Sequence, residues 1–425
     1  ADKGILVDNP NSYGFVPNVP GSRSIAARAL VCAGLANGHS HVSNTPICDD
    51  TAAISDCINE LSATVTVQGT STDVAGAGLV KPTGKVLNCN ASGTTMRFIA
   101  ALALLTSEDI VLTGTARLLE RPMDGLNEVL EICGKKVIDE GRIRKIIGTS
   151  NIPNELSVDA SKSGQFVSGL LMALGAAGKP TKLTALNPVS IPFITMTIEV
   201  MRSFGSDISV TEQAGSLIFE IAGNGYQAKS YQIEPDIMSA NYFLAAAALT
   251  GKPVFIPNIT KETIQGDVAM VFALEKMGTQ IEFINGGIKA SLKPGSQLIG
   301  CQANLSEMPD MSLTLAALAA LAEGKTTLTS ARILQFKESD RMSVIVKELS
   351  KLGAKVEVSS DQDNITITPA AKLLPALIDT YEDHRVAMAF GLLTLIEPGI
   401  QINDPECVSK TWPDFFAELK RYQAR

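Results

Sequence analysis

Along this chain, stretches of small apolar residues alternate with short β-branched runs and with amphipathic segments that close on glycine. The apolar stretches are rich in alanine and recur at Ser24–Gly38, Thr94–Thr106, Phe166–Gly178, Ser239–Gly251, Ser312–Gly324 and Val386–Glu397. Their length and composition predict helices, and because sequences such as "SLTLAALAALAEG" are apolar nearly all round, those helices belong in a core. β-branched runs follow, as in "PVFIPNI" (Pro253–Ile259) and "TTLTSA" (Thr326–Ala331), and read as strands. A second helix then ends in a leucine-rich turn closed by Gly134, Gly205, Gly278 and Gly353, with Ala63 in the first copy. These closing positions lie 71, 71, 73 and 75 residues apart. Solenoids and propellers repeat every 20–50 residues or so, so each copy here is a block with strands and helices of its own. Six blocks fill nearly all of the 425 residues.

A chain of that length suggests two or three domains. Two segments are suited to passing between modules: "VPNVPGS" (Val16–Ser22), and "QIEPDIMSAN" (Gln232–Asn241), where Pro235 interrupts a strand-like run and Asp236 can cap the next helix. Copies one to three then form a module over residues 22–235. Copies four to six, with the N-terminal strand, form another over 1–21 plus 236–425. With 45% hydrophobic residues the chain can bury substantial cores.

Composition narrows the chemistry. A net charge of −8 argues against a nucleic-acid binder. Seven scattered cysteines without a CxxC pair, and only three histidines, argue against a zinc site and a disulfide scaffold and fit a reducing, cytoplasmic setting. No segment approaches the 18 or so consecutive apolar residues of a membrane span. The N-terminus lacks a signal-peptide pattern, and its first residue, Ala1, is compatible with a removed Met or targeting segment.

The starts of the apolar helices carry the chemistry. Ser22, Arg23, Ser24 and Arg28 open the first; Gly93, Thr94, Thr95 and Arg97 the second; Ser163 and Gln165 the third; His384 and Arg385 the sixth. A helix N-terminus presents unpaired N–H groups and about half a positive charge. Arginine adds a planar donor fork matched to phosphate and carboxylate. One such position reads as ordinary capping; four at the same point of one repeat read as a trap for anions. Acids stand among these cations. Asp310 opens the fifth helix, and Lys337, Glu338, Asp340 and Arg341 precede the second helix of that copy. Carboxylates among anion-binding groups make sense if they move protons.

Eight motifs, in order, complete the picture: "PGSRS", "SGTTMR", "LLERPM", "SGQF", "PDMSLT", "KESDR", "YEDHR" and "SKTWPDFF". Together they resemble the 5-enolpyruvylshikimate-3-phosphate synthase family from about residue 4 to residue 420. The resemblance implies an α/β (α+β) chain with a two-domain, inside-out enolpyruvyl transferase-like fold: six βαβαββ repeats, three per domain, and an active site between the domains. It implies transfer of the enolpyruvyl group of phosphoenolpyruvate to the 5-hydroxyl of shikimate 3-phosphate, with release of phosphate, by a monomer using no metal or organic cofactor.

Carried over by motif, Ser163 and Ser190 would hold the 3-phosphate, Gln165 would lie against the ring, and Ser24 and Arg28 would meet the carboxylate and ring side. Arg121, Arg341, Arg385 and Lys410 would hold phosphoenolpyruvate, with the Gly93 backbone close by and Thr94, Lys337 and His384 also in the binding set. Asp310 would be the base toward the attacking oxygen and Glu338 the donor to the methylene carbon. That role needs a Glu338 pKa raised by burial or by a nearby anion.

The chain departs from the family pattern at several ligand contacts. Arg23 stands where lysine is usual, a position that would take part in catalysis, and arginine there hardly gives up a proton. Ala91 replaces the usual Asn, Gly164 the second serine before Gln165, and Phe193 the usual Tyr, while "ARILQFKE" lacks the usual Asn before its Lys-Glu pair. Two competing readings stand beside the synthase: an anion-binding paralog with weak or no turnover, and enolpyruvyl transfer to a UDP-sugar.

Overall fold

The computed structural model of the chain describes residues 9–306 and 308–425; the expected N-terminal strand falls partly on residues 1–8, outside the described residues. Six buried helices organise the fold: α1 (Arg23–Leu35), α2 (Gly93–Leu102), α3 (Gly164–Gly175), α4 (Ile237–Thr250), α5 (Ser312–Ala319) and α6 (His384–Gly391). Their burial follows from their composition. In α1 every residue from Ile25 to Leu35 is buried, and in α4 every residue from Ile237 to Ala248.

Each helix sits in a repeated block of strand, buried helix, strand, outer helix and hairpin. Leu87–Asn88, α2, Ile110–Thr113, the outer helix Asp124–Ile132, Lys136–Asp139 and Arg144–Ile147 form one complete copy. In its sheet the first two strands run parallel, and the hairpin joins antiparallel with its second strand innermost. The sheets beginning at Glu155–Asp159 and Gln302–Asn304 have the same order and senses. The first copy borrows its leading strand from Ser230–Gln232, and the fourth takes a single parallel bridge from Phe15 to Val254. The α/β class and the enolpyruvyl transferase-like architecture expected from sequence are therefore present, with one modification. The sixth copy stops after two parallel strands, Leu377–Ile378 and Gln401–Ile402, and ends in the helix Phe415–Gln423 where a hairpin would stand.

The chain forms two compact units. The central unit comprises Gly21–Glu234 with Ile264–Gly266; the terminal unit comprises the chain up to Pro20, Pro235–Thr263 and Asp267–Arg425. Each has its own hydrophobic core among the described residues. In the terminal unit an aromatic cluster joins the two chain ends: Phe15 stacks on Phe243 at 6.0 Å and meets Tyr422 edge-on at 5.1 Å, while Trp412 and Phe415 close around Phe243. Such pairs contribute about 0.5–1.5 kcal/mol each beyond area burial.

Two features of the repeat correct the sequence reading. The buried helices end earlier than their apolar stretches: α1 stops at Leu35 and Gly38 already lies in the strand Asn37–Ser43, while α2 and α6 tighten into 3₁₀ turns over Ala103–Leu105 and Leu392–Leu395. Alanine-rich composition fills a helix but carries no stop signal, and the last turn tightens wherever the chain must leave. Ala63 closes nothing; it opens the strand Ala63–Gln68, after an outer helix that ends at Asn59. A second periodic signal went unread. Asn44, Asn187, Asn258, Ser330 and Asp404 each follow the second strand of a copy in the left-handed region, which Asn and Asp tolerate better than most side chains.

The closing glycines are required by backbone geometry, with φ of 94° at Gly134, 88° at Gly205, 99° at Gly278 and 96° at Gly353. A Cβ on Gly134 would lie 2.9 Å from Thr149 O, whereas on Gly278 it would meet Gln297 O at 3.4 Å. Gly278→Ala should therefore cost about 1 kcal/mol from backbone strain alone, and Gly134→Ala more, by urea denaturation.

Candidate active site

In the terminal unit the site is built around one guanidinium. Arg341 opens the outer helix Arg341–Lys351, capped by Asp340, whose carboxylate accepts from Ser343 N at 3.1 Å. Its side chain is fully buried and touches three carboxylates. Nε donates to Asp383 Oδ2 at 2.9 Å and Nη2 to Asp383 Oδ1 at 3.2 Å, a fork-to-fork pair. Nη1 donates to Asp310 at 3.0 Å and Nη2 also to Glu338 at 2.9 Å. Asp383 serves α6 as well: it accepts from the Arg385 N–H at 3.0 Å as the N-cap, and from Ser339 Oγ at 2.8 Å.

Around this centre Lys337 Nζ lies 3.6 Å from Asp310 and Lys410 Nζ 3.7 Å from Glu338. Arg385 Nη1 donates to the buried Tyr242 hydroxyl at 3.2 Å, and His384 is buried with Nδ1 3.8 Å from Asp383. Four cations, Arg341, Lys337, Lys410 and Arg385, thus surround three carboxylates, Asp310, Glu338 and Asp383. Desolvation disfavours the ionised form of Asp310, but Lys337, Arg385 and Arg341 outweigh it and hold its carboxyl well below the usual range. Glu338 behaves alike: desolvation is overcome by Arg341, Lys410 and Arg385, and its pKa is lowered. The raised Glu338 pKa expected of a proton donor is therefore absent from the unliganded site, because cations outnumber carboxylates around it.

In the central unit the helix starts of α2 and α3 are laced together. Ser163 caps α3, accepting from Gln165 N at 3.1 Å, and Ser92 caps α2, accepting from Thr95 N at 3.1 Å. Arg97 Nη1 donates to Gln165 Oε1 at 2.7 Å and Ser163 Oγ at 3.3 Å, and Gln165 Nε2 donates to Thr94 Oγ1 at 2.9 Å. Arg28 donates to Thr197 Oγ1 at 2.7 Å and to Ser24 O at 2.8 Å, with its guanidinium over the Phe98 and Phe193 rings at 5.1 and 5.9 Å. Neither Arg28 nor Arg97 is paired with a carboxylate among the described residues. Burial pulls their guanidiniums down to about 9 and about 10 respectively, so an anion placed here would supply the missing counter-charge. Arg121 lies over Gly93, where a Cβ would be 2.7 Å from its Nη1. Arg23 is paired with Asp50 at the start of the outer helix Asp49–Asn59. Among the described residues no group of three or more His, Cys, Asp or Glu side chains could hold a metal ion, and no helix is long and apolar enough to cross a membrane.

The family model for EPSP synthase (3-phosphoshikimate 1-carboxyvinyltransferase) matches residues 11–419. The chain belongs to the EPSP synthase family. The 3-phosphoshikimate 1-carboxyvinyltransferases of Vibrio campbellii and Photobacterium profundum are 35% and 37% identical to it over 95% of both chains. EPSP synthase from Acinetobacter baumannii has 25% identity over 96% of each chain and a TM-score of 0.80. The enolpyruvyl transferase NikO from Streptomyces tendae, at 16% identity and a TM-score of 0.74, shares the fold.

The geometry accounts for one departure from the EPSP synthase pattern. A Cβ on Gly164 would lie 2.7 Å from Val189 O and 3.4 Å from Ser190 Cβ. The turn carrying Ser190, itself left-handed at φ 55°, occupies the space a second serine would need and brings Ser190 beside Ser163–Gly164. Residues passed over in the sequence are Asp383, Asp50, Tyr242, Ser168 and Thr197, and Arg97 was noted at a helix start without a role. Asp383 sits inside the "YEDHR" motif, where only His384 and Arg385 stand out as site groups; the others become polar partners only through packing.

Removing a charge from a buried cluster leaves its partners uncompensated. Arg341→Met should therefore destabilise the protein by about 3–5 kcal/mol in urea titrations. Asp310 and Glu338 have lower pKa values folded than unfolded, so their contribution is complete above their ordinary values of 3.8 and 4.5 and is lost as pH falls below them. Wild-type stability should drop over that acid range, and Arg341→Met should show a shallower drop.

Proposed function

We propose that this protein transfers the enolpyruvyl group of phosphoenolpyruvate to the 5-hydroxyl of shikimate 3-phosphate and releases phosphate. The observation that carries this reading is the attachment of Asp310 and Glu338 to adjacent nitrogens of one buried guanidinium, inside a ring of further cations. Binding an anion needs only the cations. Two carboxylates fixed side by side among them suit a reaction that moves a proton on and off the substrates.

On this reading the central unit receives shikimate 3-phosphate. Ser163 and Ser190 meet the phosphate, Gln165 the ring, and Ser24 and Arg28 the carboxylate side. By their motifs Gly93, Thr94, Arg121, Lys337, His384, Arg385 and Lys410 are assigned to phosphoenolpyruvate, and Arg341 fixes the two carboxylates. Glu338 gives a proton to the methylene carbon, leaving positive charge on the neighbouring carbon that bears the phosphate oxygen. The 5-hydroxyl oxygen adds there as its proton passes to Asp310. The adduct loses phosphate by cleavage of the bond between that carbon and the phosphate oxygen, which takes up the proton held by Asp310, while a proton returns from the methyl carbon to Glu338, restoring the double bond. Arg23 and the other cations stabilise the departing phosphate.

Anion binding also resolves the protonation of Glu338. Arrival of a phosphate and a carboxylate offsets Lys410 and Arg385, which with Arg341 hold its pKa down, and favours uptake of a proton. All of these groups belong to one chain, so a monomer suffices, and seven free thiols suit a reducing cytoplasm.

Phosphate release by the purified protein should require phosphoenolpyruvate and shikimate 3-phosphate together, with no release when UDP-N-acetylglucosamine is the acceptor. Glu338→Gln should lower kcat by about a hundredfold or more while shikimate 3-phosphate still binds. Release without shikimate 3-phosphate, or full activity in Glu338→Gln, would sink this reading.

A further inference from the structure

The turn that delivers Asp383, His384 and Arg385 has an unusual composition. Asp383 N–H donates to Thr380 O at 2.8 Å, closing a four-residue turn, and both central residues are left-handed, Tyr381 at φ 55° and Glu382 at φ 57°. Positive φ at both central positions is the pattern of a type I′ turn, which favours Asn-Gly, Asp-Gly or Gly-Gly. Tyr-Glu is a costly choice there, and strained backbone of this kind persists only where the surroundings hold it.

The holding contact is visible. Tyr381 is 40% exposed, yet its hydroxyl donates to Glu348 Oε1 at 2.8 Å. Glu348 is fully buried on the outer helix Arg341–Lys351. Lys351 Nζ lies 2.7 Å from Glu348 Oε2, and donates to Asp379 Oδ2 and Leu377 O at 3.1 Å each. The segment Leu377–Asp383 is therefore fastened to one helix at three levels: Lys351 to Asp379, Glu348 to Tyr381, and Arg341 to Asp383. The last of these carries Asp310 and Glu338.

We propose that Tyr381 and Glu348 are positioning residues for the enolpyruvyl transfer, a staple that holds a strained turn so that Asp383 meets Arg341 and Arg385 faces phosphoenolpyruvate. The proposal rests on the site reading above. A glycine or asparagine in the turn would remove the strain but would bring no group to bind the helix. Tyrosine supplies that group from a residue that is part of neither hydrophobic core, so its hydroxyl can be deleted with little change to the packing.

Tyr381→Phe isolates the hydroxyl. Its kcat/KM for phosphoenolpyruvate should fall roughly tenfold, the effect of losing one hydrogen bond to a charged partner, while affinity for shikimate 3-phosphate and the thermal midpoint stay close to wild type. Glu382→Gly added to Tyr381→Phe should recover most of the loss, because glycine adopts the left-handed turn without a staple. A Tyr381→Phe enzyme within twofold of wild type for phosphoenolpyruvate would overturn the proposal. Equal losses for both substrates with a lowered midpoint, or no recovery in the double variant, would do the same. Arg385→Gln in the same assay separates the two levels of argument. If it matters and Tyr381→Phe does not, the staple alone is wrong; if it leaves phosphoenolpyruvate kinetics unaltered, the site reading falls and the staple with it.

Discussion

A guanidinium with no exposure to water cannot be left alone, and the terminal unit is arranged around meeting that requirement at Arg341. Asp383 neutralises it in a fully buried pair. The pair alone would balance, yet two more carboxylates, Asp310 and Glu338, are attached to its remaining donors. That excess of negative charge calls for Lys337, Lys410 and Arg385, and among the described residues the result is a cluster with one more cation than it has carboxylates. A structure seeking stability alone would do better with apolar side chains in place of a buried ionic network. The network makes sense as a device for fixing two proton-carrying groups and leaving room for an incoming anion.

The two units solve the burial of cations in opposite ways. In the terminal unit carboxylates compensate the arginine directly. In the central unit Arg28 and Arg97 are held by hydroxyls, carbonyls, an amide and aromatic faces, and none of these cancels the charge. On the proposed reading, the cost of burying them is offset by a bound phosphate or carboxylate. The first arrangement suits proton transfer and the second suits capture. The protonation of Glu338 then depends on which anions are bound, so chemistry and binding are linked through one electrostatic balance.

Much of this was legible in the amino-acid sequence because it is periodic or local. Apolar helices with no polar face announce buried elements, and left-handed closing turns announce themselves as glycine at Gly134, Gly205, Gly278 and Gly353. Polar and cationic residues at four of the six helix starts point to anion binding there. Ser22, Ser163 and Asp236 cap helices as their positions suggest. These features depend on interactions within a few residues of each other, and such interactions leave a spacing that can be read.

Tertiary structure decided what depends on partners far apart along the chain. Asp383 has no assigned role until Arg341, 42 residues earlier, is brought against it. Gly164 reads as a lost hydroxyl until the Val189–Ser190 turn is seen to fill the space. The Glu338 pKa follows from its neighbour Arg341 first and then from Lys410 and Arg385, far along the chain, and Ala63 became a strand residue because its outer helix ends four residues earlier. Local preference sets which elements form and where charge collects. Which charges meet, and therefore which proton sits where, is a sum over long-range Coulomb and packing contacts that no window of sequence contains.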